Sequence, residues 1–204
     1  LQIVINEYAE MKDCGVPGSL VNWIARLEDE KIYGCLPFWQ QANNLNGLTS
    51  DANEGAGAWW VYKWYGDMSG KTLQVQTSTN YDRLYGVASI DDKKQSASVL
   101  MGGEDGTQKL LLKDIKGTEI FKNEGRVHIS VQKASYNGYA GTVSEVPTIL
   151  EGDFPIAEDG SVEITIPNAK YADAFYVTIT KTNAEEIENP IVSRYSATYE
   201  AEAA

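Results

Sequence analysis

Two apolar runs in this sequence end in side chains able to do chemistry. Ile3-Val4-Ile5-Asn6 runs into Glu7, and Tyr33-Gly34-Cys35-Leu36-Pro37-Phe38 runs into Trp39. A carboxylate beside an indole fits glycoside hydrolysis: the carboxylate attacks or stabilises an oxocarbenium-like anomeric carbon, and the indole gives the sugar's apolar face a flat surface. A retaining mechanism also needs an acid/base carboxyl about 5–5.5 Å from the nucleophile. That partner is expected on a strand upstream of this sequence, which opens at Leu1 without an initiator methionine. Glu7 has a plainer reading as a strand-end carboxylate that caps a loop or pairs with a lysine. Gln40, Gln41, Asn43 and Asn44 follow Trp39 with amide groups suited to sugar hydroxyls. Loop polarity alone would supply the same residue types.

These groups need elements to position them. The β-branched run before Glu7 reads as a fully buried parallel strand presenting its acid at the C-terminal tip, where barrel enzymes carry catalytic groups. Pro17-Gly18-Ser19 then opens a helix with Ser19 as a plausible N-cap. Leu20, Ile24 and Leu27 supply its apolar stripe, broadened by Val21 and Trp23, and it ends near Lys31. Residues 33–39 form a second buried strand, so strand, helix and strand make the unit of a parallel sheet. Alternation puts Ile3, Ile5 and Glu7 on one face, and Cys35, Pro37 and Trp39 on one face of the second strand; both strand-end groups can then enter one cleft. After a long polar loop, Ala58 to Met68 form a helix dense in Trp59, Trp60, Tyr62, Trp64 and Tyr65, read first as core packing, with a sugar-stacking surface as the alternative.

From Thr72 the pattern changes to eight short alternating segments: 72–77, 83–90, 97–101, 108–115, 127–133, 148–154, 162–166 and 175–180. Their length and spacing imply an antiparallel sandwich, with Asp159-Gly160 as a hairpin signal. Residues 182–197 read as a linker, and Thr198 to Ala204 as the opening of a further module. The expected organisation is an α/β barrel fragment, its last two β/α units, over residues 1–70, an all-β antiparallel sandwich over 71–181, and a linker with the start of another module over 182–204.

The net charge of −12 and the lack of a basic cluster exclude nucleic acid as a partner. No apolar run approaches the length of a membrane span, so no membrane partner is expected. Cys14 and Cys35 are too few for a disulfide framework and are expected to be unpaired. His128 lies in an alternating strand without a second His or a Cys nearby and reads as a surface or satisfied strand residue rather than a ligand, so neither metal nor cofactor is assigned. Gly102-Gly103-Glu104-Asp105-Gly106 joins two strands and carries acids where a phosphate cradle needs a lysine, so it reads as a turn. Tyr136, Tyr139 and Tyr171 would suit a sandwich that binds polysaccharide. All five tryptophans, however, precede residue 70, which favours a sandwich that shields the helices of the first part.

Ile5-Asn6-Glu7-Tyr8-Ala9, Gly34 to Trp39 and Ala58-Trp59-Trp60-Val61-Tyr62-Lys63-Trp64-Tyr65 together resemble the end of a clan A glycoside hydrolase barrel. The nearest likeness is to family 39 enzymes of the xylosidase kind, in which a β-sandwich follows the eighth helix. The resemblance implies a secreted retaining enzyme acting on plant polysaccharide or oligosaccharide, with Glu7 as nucleophile and Trp39, Gln40, Asn43 and Asn44 in the substrate subsite. It also implies that the remaining barrel strands complete the site, since the clan's Asn-Glu acid/base motif has no counterpart here. Tyr199-Glu200-Ala201-Glu202 is similar to the start of family 6 or family 35 carbohydrate-binding modules.

Overall fold

The computed structural model describes residues 3–37, 45, 47–50, 52–77, 84–139 and 141–182. It opens with β1 (Val4–Tyr8), α1 (Pro17–Asp29), β2 (Tyr33–Pro37) and α2 (Gly57–Asp67). β1 and β2 pair in parallel, Val4 opposite Tyr33 and Tyr8 opposite Pro37, as a βαβ unit requires. The strand burial expected from the sequence is not found: Ile3 is 53% exposed, Val4 51% and Tyr33 61%. Among the described residues these two strands are the whole of their sheet, so no third strand flanks their apolar side chains.

Pro17, with its φ already fixed for a first turn, starts α1. The N-cap is Val16 with no side-chain bond, and Ser19, expected to cap, is buried inside the first turn. The reason is a close approach at Gly18. Its N–H donates to the Ala172 carbonyl at 3.0 Å, and a Cβ there would lie 2.0 Å from the Tyr171 carbonyl oxygen. The helix therefore begins where the backbone can nest against the loop 170–173.

The eight segments read from the alternation each overlap a strand: β3 (Lys71–Leu73), β4 (Tyr85–Asp91), β5 (Ser96–Gly102), β6 (Gly106–Leu112), β7 (Arg126–Ala134), β8 (Thr148–Pro155), β9 (Val162–Ala169) and β10 (Ala174–Lys181), although the expected 72–77 is a strand only as far as Leu73 and the expected 108–115 only as far as Leu112. Six form one antiparallel sheet in the order β3-β4-β5-β10-β7-β8, and β6 pairs with β9 in a second. Val99, Met101, Val127, Ile129, Val131, Phe175, Val177 and Ile179 from the large sheet meet Ile164 and Ile166 from the small one in a shared core. Asp159-Gly160 does form a tight turn, in which the Gly160 N–H donates to Ala157 at 3.0 Å. It is not a hairpin, because β8 and β9 belong to different sheets.

The alternate residues of the large sheet face the helices. Val87, Leu100, Ala134, Ala174 and Tyr176 pack with Leu20, Val21, Ile24 and Ala25 of α1 and with Ala58, Val61 and Trp64 of α2. The Trp64 ring stacks on Tyr176 with centroids 5.4 Å apart and planes 10° apart. A helix buries only part of its circumference in this way, so the aromatic set of α2 divides. Trp64 is buried, Trp60 is half-buried with its Nε1 donating to the Val143 carbonyl at 2.6 Å, and Trp59 is exposed.

Candidate active site

The site is built at the C-terminal ends of β1 and β2. Glu7 is exposed, and its carboxylate makes no hydrogen bond or ion pair with another described residue. Tyr8, the next residue, is buried. Its hydroxyl lies 2.6 Å from that of Tyr62 on α2, and its ring lies 6.3 Å from Trp23 on α1 at a 42° tilt. Trp23 in turn donates its Nε1 proton to Asp13 in the loop after β1, at 3.0 Å. The end of β1 is thus tied to both helices through one phenol. Burial raises the Tyr8 phenol, with its Tyr62 hydrogen bond acting in the opposite sense, and burial raises Tyr62 strongly. Both stay neutral at physiological pH, so the pair acts as an uncharged clamp beside an exposed acid.

The loops beyond the two strands touch. A Cβ on Gly47 would lie 2.9 Å from the Gly15 Cα, and both glycines adopt left-handed φ values of 79° and 77°. Farther along, Thr49 and Gly55 form an isolated bridge, and the buried Ser50 hydroxyl accepts the N–H groups of Ala52 at 3.2 Å and Glu54 at 3.3 Å. Cys14, in the first loop, is buried, and that burial, with Asp13 adding in the same direction, pushes its thiol up. Neither it nor Cys35 forms a disulfide.

Of the residues singled out from the sequence, Glu7 is placed with its carboxylate open. Trp39, Gln40, Asn43 and Asn44 lie outside the described residues, as do Gln41 and the segment 183–204. The register corrects the parity argument. Ile5, on the same face of β1 as Glu7, stands opposite Gly34, and paired residues of parallel strands share a face, so the face of Glu7 is that of Gly34 and not of Cys35. A common cleft for Glu7 and Trp39 therefore depends on the path of the chain after Pro37. The Tyr8–Tyr62 clamp was not read from the sequence; its signal was a tyrosine directly after the acid and another on the inner stripe of the second helix. His128 is satisfied as expected: Nδ1 lies 2.7 Å from the buried Asp153 carboxylate. Among the described residues no group of three or more His, Cys, Asp or Glu could hold a metal ion.

No family model matches the chain. A 3-O-alpha-D-galactosyl-alpha-L-arabinofuranosidase of Bifidobacterium longum subsp. longum is 40% identical over 111 residues, 53% of this chain and 10% of that protein. A 3-O-beta-L-arabinopyranosyl-alpha-L-arabinofuranosidase of Bifidobacterium pseudocatenulatum is 28% identical over 98% of this chain and 23% of its own length. The chain thus spans between a tenth and a quarter of these relatives. Among solved structures, N2152 from Neocallimastix frontalis superposes with a TM-score of 0.80 at 26% identity, covering 89% of this chain and 45% of that one. A family 39 glycoside hydrolase from Xanthomonas axonopodis pv. citri shares the fold at a TM-score of 0.59 and 12% identity, over 89% of this chain and 45% of that one. The chain is related to glycoside hydrolases, and its curated relatives are arabinofuranosidases.

Proposed function

We propose that this chain contributes the catalytic nucleophile to a secreted, retaining glycoside hydrolase that removes L-arabinofuranosyl units from plant polysaccharide or oligosaccharide. β1, α1, β2 and α2 are the last two β/α units of its barrel, and the other strands, with the acid/base carboxyl, belong to the rest of the protein. Glu7 attacks the anomeric carbon and the departing oxygen takes a proton from that partner; water then releases the sugar from the glycosyl-enzyme ester. Trp39 gives the sugar a flat wall, and Gln40, Asn43 and Asn44 read its hydroxyls. The relatives' names motivate an arabinofuranose carrying a further sugar at O3 as the unit recognised.

The observation that carries this reading is the open carboxylate of Glu7 at the end of a parallel strand whose next residue, Tyr8, is clamped between two helices. The sandwich acts as a brace, since the outer face of its large sheet is occupied by α1 and α2. In the complete protein, Glu7→Ala should lower turnover of an aryl α-L-arabinofuranoside by several orders of magnitude, with partial recovery in azide. A wild-type rate in that variant removes the proposal.

A further inference from the structure

Trp59 departs from the packing of its helix. It is 38% exposed, although Trp60 and Trp64 beside it are half-buried and buried. It is not loose, because its ring stands edge-on to Trp60 at 5.0 Å and 90°, and a Cβ on Gly55 would come within 3.2 Å of it. The indole therefore rests on the Gly55 backbone with part of its surface open.

A loop of the sandwich holds this corner. A Cβ on Gly57 would lie 2.3 Å from the Ser135 carbonyl oxygen, the Val143 N–H donates to the Gly55 carbonyl at 2.8 Å, and Trp60 donates to Val143 at 2.6 Å. The β7–β8 loop is thus bonded both to the end of the loop after β2 and to the first turn of α2. It carries Tyr136, 37% exposed, and is stiffened by the Asn137 amide donating to the Thr142 carbonyl at 3.0 Å. In a βαβα arrangement the first turn of a helix lies at the end where the preceding strand stops, so Trp59 stands on the same end of the β1–β2 pair as Glu7.

We propose that Trp59, on the corner held by the docked loop, is a stacking platform for a neutral sugar residue of the substrate remote from the bond that is cut. The argument is chemical. A rigid, uncharged indole supported from behind by another ring suits the C–H face of a sugar, and its place at the catalytic end puts it along the line of a branched substrate. The inference rests on the glycosidase reading for its ligand, and it gives the sandwich a part in binding through one loop.

The test compares wild type with Trp59→Ala in the complete protein, using p-nitrophenyl α-L-arabinofuranoside as the short substrate and gum arabic arabinogalactan as the long one. The platform predicts a three- to tenfold rise in KM for arabinogalactan, equivalent to roughly 0.7–1.4 kcal/mol, with the aryl glycoside unaffected. Equal constants for both substrates in wild type and variant overturn the platform and leave the Glu7 reading standing. If neither substrate is cleaved but titration calorimetry shows arabinogalactan binding weakened by Trp59→Ala, the platform stands and the catalytic reading falls; with neither cleavage nor binding, both fall. Trp59→Phe keeps the packing on Trp60 and guards against misfolding of the alanine variant. In 5-fluorotryptophan-labelled wild type, the fluorine resonance missing from Trp59→Phe must shift with arabinogalactan, and an unmoved resonance overturns the platform.

Discussion

The β1–β2 pair and the six-stranded sheet are both made of short, apolar-rich strands, yet they spend those residues differently. In the large sheet alternate side chains enter two different cores: Phe175, Val177 and Ile179 pack toward the small sheet, while Ala174 and Tyr176 pack toward the helices. Within this chain, Val4 of β1 is exposed and Ile5 half-buried, and the buried anchor is Tyr8. Strand stability in the sheet thus comes from two layers of contact. The position of β1 comes instead from one phenol and from helices braced on that sheet.

This contrast can be broken or sharpened by substitution. In this chain unfolded by itself in urea, Phe175→Ala removes a ring that is 1% exposed in the shared core and should cost about 3–5 kcal/mol, whereas Val4→Ala, half exposed on β1, should cost under about 1 kcal/mol. Comparable losses at the two sites contradict the description. Gly18→Ala places a methyl against the Tyr171 carbonyl and should cost about 1–3 kcal/mol, read as a fall in Tm, by lifting the start of α1 from the sheet. An unchanged Tm shows that the nesting is not needed.

The smallest effect concerns the clamp and pH. The folded-state value of Tyr62 lies above its ordinary 10.0, chiefly through burial, so it favours the folded state fully below pH 10 and loses that contribution as pH rises beyond. In ultraviolet titration some phenols should remain protonated near about pH 11 until the protein unfolds. Ionisation of all twelve tyrosines at an ordinary value contradicts a buried Tyr8–Tyr62 pair.

The sequence made the antiparallel strands legible because a half-buried strand writes its own alternation, and each expected segment overlaps a strand, the first of them only at its start. It misled where local composition stood in for neighbours. The Ile3-Val4-Ile5 run reads as buried only if strands flank it, and Ser19 reads as a cap only if the helix does not start sooner against the 170–173 loop. Asp159-Gly160 specifies a turn but says nothing of which sheets it joins. Glu7 was visible as a strand-end acid, whereas its relation to Trp39 was not, since a fixed register with one shared face depends on pairing that no single strand encodes. The division of the tryptophans into buried and exposed was likewise hidden, because it is set by the face of α2 that meets Tyr176.

The central claim is that Glu7 forms the covalent bond to the sugar. Incubating the complete enzyme with an arabinofuranose-configured epoxide inactivator, followed by peptide mass mapping, tests it most directly. The account predicts one adduct, on the Glu7 carboxylate of the β1 peptide, appearing in step with loss of activity. An adduct on another carboxylate, with Glu7 unmodified in the inactivated enzyme, contradicts it.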